Sequence, residues 1–308
     1  MGLRFERMAV LAAVESVYGT DPAPTAATQL KDVTIDDIAG DLVSLDTIRT
    51  GMGAVVKALH GRRVSFKGKA YLASSGAAGT APAWDWLARC SAHAKTVTED
   101  TKVEYSPIDS AQESAAVYFN LEANRTRILG LRGNVIFLWV VGQFPEIEFE
   151  LVGLFDANAN AAFPASPDFS AWKIPKLVGK DTVNPFTIAT VAEVMQSLEV
   201  NAGVKAEYIE RVNRRDVEID DRRASVQAVI EEPAFSARIH QSAIGVPGTY
   251  KAIAMTHGTA AGSKVKLTVT NWQMQTLQRQ KLGPNAGLQL GGEIVSVAGT
   301  PDYVISAE

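Results

Sequence analysis

Residues 146–151 read Glu-Ile-Glu-Phe-Glu-Leu, and this alternation constrains the fold more than any other part of the chain. Successive side chains of a strand point to opposite faces, so Glu146, Glu148 and Glu150 share one face and Ile147, Phe149 and Leu151 the other. A helix would scatter both sets around its axis. Just upstream, Val135-Ile-Phe-Leu-Trp-Val-Val141 is apolar at both parities, and Gly142-Gln-Phe-Pro145 has the composition of a short turn. Segments 127–141 and 146–155 are therefore expected to form one antiparallel hairpin, long beside ordinary strands of about five or six residues. A run that is apolar on both faces must be covered on both, within the chain or at a subunit contact. Val135, Phe137, Trp139 and Val141 are accordingly candidates for such a contact.

A long hairpin needs a large surface to pack against, and the composition can supply it. Of 308 residues, 46% are hydrophobic and 21% charged, a globular balance rather than a disordered one. A further strand is expected at 115–121, and another at 63–72, where Val64, Phe66 and Gly68 alternate with Arg63, Ser65, Lys67 and Lys69. Residues 82–92 are expected to form a short helix capped by Thr80, with Trp84, Leu87, Ala88 and Ser91 on the face that covers a sheet. The glycines of 39–59 and the prolines of 19–25 mark loops. Pro164, Pro167, Pro175 and Pro185 make 158–185 a linker. It divides an N-terminal arm and loop (1–32) and a first domain (33–157) from a second domain (186–308).

The second domain repeats the order of the first. Arg62-Arg63 opens an alternating strand, and so does Arg222-Arg223. Pro82-Ala-Trp84, with Ser91-Ala92 seven residues past the tryptophan, is matched by Pro233-Ala-Phe235 with Ser242-Ala243 at the same spacing. Leu45-Asp-Thr-Ile48 corresponds to Ile209-Glu-Arg-Val212. Segments 264–278 and 288–297, around Gly283-Pro284, give a second long strand pair carrying Trp272, a further contact candidate, and Glu293.

Catalytic chemistry finds little footing. The net charge of -4 lacks the basic footprint of a general nucleic-acid binder. One cysteine, Cys90, excludes an internal disulfide framework and a multi-cysteine zinc site. Cys90 and His93 share a helical face, yet no orienting carboxylate or oxyanion hole accompanies them. His240 and His257 lack metal-ligand spacing, and Gly258-Thr-Ala-Ala-Gly262 lacks the Gly-Lys-Ser/Thr ending of a P-loop. No enzyme, cofactor or metal is expected. Charges in the first residues spoil a secretory signal and no apolar run is long enough to span a membrane, so a soluble product made in a cytoplasm is expected.

Several segments together resemble the major tail tube proteins of long, non-contractile-tailed bacteriophages. They are Glu15-Ser-Val-Tyr-Gly-Thr20, Thr80-Ala-Pro-Ala-Trp84, Val117-Tyr-Phe-Asn-Leu121, Gly130-Leu-Arg-Gly133 and Phe144-Pro-Glu-Ile-Glu-Phe-Glu-Leu-Val-Gly153. The likeness is densest over 11–156, and the C-terminal half matches in layout. It implies an all-β fold of duplicated β-sandwich domains, each lending a long hairpin to a barrel shared around a ring. Rings would stack into a hollow virion tail tube, assembled in the bacterial host, through which double-stranded DNA is ejected. The implied partners are the chain itself, a tape measure protein, a tail terminator and distal tail or baseplate proteins. Glu146, Glu148 and Glu150, with Glu293 from the second domain, would form an acidic lumen that repels phosphates, and Val135, Phe137, Trp139, Val141 and Trp272 would lie in the barrel or at its contacts. The arm and the loop 39–59 would be free before assembly. Six domains of four strands close a barrel of roughly 24 strands and about 48 Å backbone diameter, wide enough for a duplex. Two domains per chain would let three chains complete a ring; six chains with a decorative second domain is the rival. A soluble β-sandwich binding or decoration module is the alternative reading.

Overall fold

The computed structural model describes residues 7–48, 50–156, 158–234 and 240–308. The chain is all-β. Its first half holds strands β1 (Met8–Val14), β2 (Ala27–Thr28), β3 (Lys31–Ser44) and β4 (Lys57–Tyr71), then helix α1 (Asp85–Arg89). Strands β5 (His93–Thr98), β6 (Lys102–Pro107), β7 (Ala115–Leu121), β8 (Asn124–Val140), β9 (Glu146–Phe155) and β10 (Ala159–Asn160) follow. The second half contributes β11 (Val183–Ile188), β12 (Val191–Ala192), β13 (Met195–Asn201), β14 (Val204–Arg211) and β15 (Arg214–Arg222). It ends with β16 (Ser225–Glu231), β17 (Lys251–His257), β18 (Val265–Leu282), β19 (Asn285–Ile294) and β20 (Tyr303–Ala307).

The expected long hairpin is β8–β9, with Gly142 taking the left-handed backbone that its turn requires. Around it, antiparallel ladders give the order β3-β4-β9-β8 in the first half. The second half runs β13-β16-β19-β18, and β8 joins the two by pairing with β13. The pairings match through the middle of the ladders. Phe66 of β4 lies between Ile35 of β3 and Leu151 of β9; Val226 of β16 lies between Val200 of β13 and Gly292 of β19.

Both halves share one hydrophobic core rather than burying two separate ones. It lies between the inner faces of these eight strands and the layer formed by α1, β6 and β20. The Trp84 ring packs 4.9 Å from Tyr105 and 6.4 Å from Phe137, and Trp86 lies 6.3 Å from Phe149. Strand β20 seals the layer by pairing with β18 on one side and β6 on the other. The proline-rich connection is pinned by Trp172, whose indole N–H donates to the Ala27 carbonyl at 3.0 Å.

Four expectations need correction. The helix is five residues, not eleven; Trp84 stands at its N-cap and Thr80 makes no capping bond there. Its expected face is nonetheless buried at Trp84, Leu87, Ala88 and Ser91. The N-terminal arm is not free: Met8–Val14 pairs along its whole length with β7 and places Val10 and Ala12 in the core, because its apolar run needs cover. Residues 1–6 of that arm, and Phe235 of the repeated Pro-Ala-aromatic motif, lie outside the described residues. Finally, the glycines of 39–59 do not stop the strands. Strand β3 continues to Ser44 and β4 starts at Lys57, so the hairpin becomes an extended arm tipped by residues 45–48 and 50–56.

Candidate functional site

Residues directly opposite one another in antiparallel strands share a face. Starting from Glu148, one row therefore crosses the whole sheet: Lys69, Glu148, Ile136, Asn201, Ser225, Glu293 and Gln273. The next row holds Tyr71, Glu146, Leu138, Glu199, Gln227, Gly291 and Thr276. The four sequence-designated glutamates thus lie on one continuous polar face spanning both halves.

That face is not the acidic wall expected from the glutamates alone. Lys31 pairs with Glu146, Lys69 with Glu148 and Lys67 with Glu150. The hydrogen bonds to Glu146 and Glu148 raise the pKa values of Lys31 and Lys69. Three like charges in a row repel, and a lysine beside each removes the repulsion. Glu293 and Glu199 stand apart from this lattice. Glu293 is exposed, and Glu199 has its pKa raised by burial and by the neighbouring Glu148 charge. In the second half the matching positions are uncharged: Gly287, Gln289 and Gly291 stand where the first half has Glu146, Glu148 and Glu150, and Gln278 faces Gln289.

The contact candidates sit elsewhere. Val135, Phe137, Trp139 and Trp272 are wholly buried inside the single chain, so they are core residues and not a subunit interface. Ile136, Leu138 and Val140 take the opposite, half-exposed side of β8 among the polar side chains. Val141, just beyond β8, is the exposed member of the set, at 37%.

The junction between the halves is closely built. The Ala202 amide donates to the Val135 carbonyl at 3.0 Å and the Val141 amide to the Gln196 carbonyl at 2.9 Å, enclosing the ladder Ile136–Val140 against Ser197–Asn201. The Asn134 side-chain amide donates to the Asn201 carboxamide oxygen at 2.9 Å, and Asn134 accepts the Val204 amide at 3.0 Å. Gly203 then turns the chain out of the sheet with φ +64°; a Cβ there would lie 1.9 Å from the Arg223 carbonyl oxygen. Beyond it β14 and β15 form an arm of their own that lies on the first half. The Val217 amide donates to the Tyr18 hydroxyl at 2.6 Å, Arg132 donates to the Val217 carbonyl at 2.9 Å, and the Gly61 amide donates to Glu210 at 3.1 Å.

Cys90 and His93 do not form a thiolate–imidazole pair. Burial pushes the Cys90 thiol up to about 12, and its Sγ–H points at the Leu87 carbonyl. His93 Nδ1 lies 3.0 Å from the Ala88 carbonyl, an acceptor, so Nδ1 carries the proton and Nε2 accepts from the Tyr303 hydroxyl at 2.7 Å. The imidazole thereby ties α1 to β20. Burial lowers its pKa from 6.5 to about 4. Between those values the unfolded chain binds a proton that the folded chain refuses, so stability rises with pH in this window. The contribution is intact above 6.5 and is lost on acidification toward 4, up to about 3 kcal/mol. Urea titrations at pH 7 and 4.5 are expected to show this loss in the wild type and a smaller one in His93→Gln. His240 is also buried, with Nε2 3.0 Å from Glu193. His257 is buried too, and that burial lowers its pKa.

No protein-family model matches the chain, and no curated protein matches it. Among the described residues no helix is long and apolar enough to cross a membrane, which says nothing of strands.

Proposed function

We propose that the chain is a structural protein that assembles into the hollow tail tube of a long, non-contractile-tailed bacteriophage. The observation that carries this reading is the eight-strand sheet, in which two long hairpins, β8–β9 and β18–β19, are linked through β13 and β16 and have one polar face in common. Four strands per half is the unit from which the resemblance implies that the barrel is built. Three such chains would supply roughly 24 strands, and their shared polar face would line the channel. No turnover is involved: the function is closure, stacking and passage of DNA.

The surface chemistry suits passage. A duplex is held by neutralising its phosphates with free lysines and arginines, with release of counterions. On this face Lys31, Lys67 and Lys69 are engaged by glutamates, and the second half offers glutamines and glycines, so phosphates find little to hold. Replacing Glu146, Glu148 and Glu150 together by glutamine leaves the three lysines uncompensated. The variant is expected to retain duplex DNA in a low-salt gel-shift assay and release it as salt is raised, while the wild type retains none.

The reading itself is tested by taking the purified chain to rising concentration and imaging it by negative-stain electron microscopy. Hollow filaments are expected. Monomers that persist even with tape measure and distal tail proteins present would favour a binding or decoration module instead.

A further inference from the structure

The two halves are joined edge to edge, and the same two edges occur again, unused, at the ends of the sheet. Among the described residues β3 pairs only with β4, and residues 276–282 of β18 pair only with β19. In the internal match β3 corresponds to β13, and this stretch of β18 corresponds to the stretch of β8 on which β13 sits. We propose that β3 of one copy pairs with β18 of a second copy, head to tail, in the register that β13 keeps on β8. The proposal deepens the assembly reading and rests on it for the existence of a ring; the pairing itself is read from the junction inside the chain.

The register follows from the ladders. Glu199 is opposite Leu138; Glu199 faces Gln227 and Leu138 faces Glu146. The matching positions are Thr34, which faces Lys67, and Gln280, which faces Gly287. Thr34 of one copy should therefore oppose Gln280 of the next, Ile35 should oppose Arg279, and Asp36 should oppose Gln278. Such a contact uses different surfaces on the two partners and closes only as a ring or an open filament.

A second observation points to the same partner. The arm β14–β15 lies on the first half of its own chain, held through Val217 and Glu210. Its counterpart, the β3–β4 arm, ends in Leu42, Val43, Leu45, Ile48, Met52 and Val56, all exposed. By the same match this arm belongs on a second half that precedes it, and only another copy of the chain supplies one. Burying that apolar tip accounts for a group of exposed hydrophobic side chains larger than scattered surface residues explain.

The test mixes two single variants, Thr34→Cys and Gln280→Cys, under mild oxidation. The native Cys90 is buried and does not compete. A disulfide-linked dimer is expected as the dominant product of the mixture. It should form several-fold less from either variant alone, or from Thr34→Cys mixed with Thr276→Cys, which is out of register. Equal yields from all mixtures, or no dimer, would overturn the pairing. Electron microscopy of the wild type separates the two ideas. Tubes without the Thr34–Gln280 link overturn this pairing alone, whereas the link without tubes upholds the pairing and overturns the tube.

Discussion

Replacing Arg279 by proline is expected to abolish association between copies while leaving the single chain folded. The effect comes from backbone direction. The Glu232 amide donates to the Ala286 carbonyl, so Ala286 and Leu288 turn their peptide groups toward β16, while Gly287 and Gln289 turn theirs toward β18. Gln278 and Gln280, opposite Gln289 and Gly287, bond inward, and Arg279 between them presents its N–H to the free edge. Proline on the open side of an edge strand removes no ladder bond within the chain but removes a donor that a docking strand needs, and its ring obstructs the approach. Arg279 also pairs with Glu232 at 3.0 Å, so Arg279→Ala is the control for that loss. Sedimentation velocity is expected to show larger species for wild type and Arg279→Ala and monomer for Arg279→Pro, with matching urea midpoints for the two variants. Assembly of Arg279→Pro at wild-type concentration would mean that copies meet elsewhere.

The second large effect is on stability. Trp84 is buried to 1% exposure, donates its indole N–H to the Ala73 carbonyl at 2.7 Å, and packs on Tyr105 and Phe137. It therefore bolts the short helix to both layers of the sandwich. Trp84→Ala removes the largest ring from that contact and leaves a carbonyl without its donor, and is expected to cost about 3–5 kcal/mol. Trp84→Phe keeps much of the volume and should cost clearly less. Urea denaturation followed by circular dichroism measures both. A loss under about 1 kcal/mol for alanine would show that the helix is an ornament on the sheet rather than part of its core.

What could be read in the sequence was what depends on period alone. Strands 115–121 and 146–155 occur at their expected bounds, and both hairpin turns are where glycine and proline placed them. What depends on distant partners could not be read. Glu146, Glu148 and Glu150 looked like an acidic surface because their lysines arrive from β3 and β4, roughly 80 to 115 residues away in the chain. Val135–Val141 looked like a contact because Ile136, Leu138 and Val140 are as apolar as the residues between them, yet only one parity enters the core. Glu199 is not legible as a site residue although Ser197, Glu199 and Asn201 alternate with Leu198 and Val200, because the flanking polar residues mask a strand this short. Nothing local to Met8–Val14 shows that β7 waits for it, so its sequence reads as a free arm although the strand is buried. The repeat order, weak at each match, corresponds to the matching strand orders of the two halves, and the junction between those halves is the feature from which the chain-to-chain contact is argued.

If one chain carries two equivalent ring units, the mass per length of the assembled filaments shows it most directly. Scanning transmission electron microscopy gives the mass, and the layer-line spacing of the same filaments gives the ring repeat. Three 33.0 kDa chains per ring repeat are expected, around a hollow channel wide enough for a DNA duplex. Six chains per repeat, or solid filaments with no channel, would contradict it.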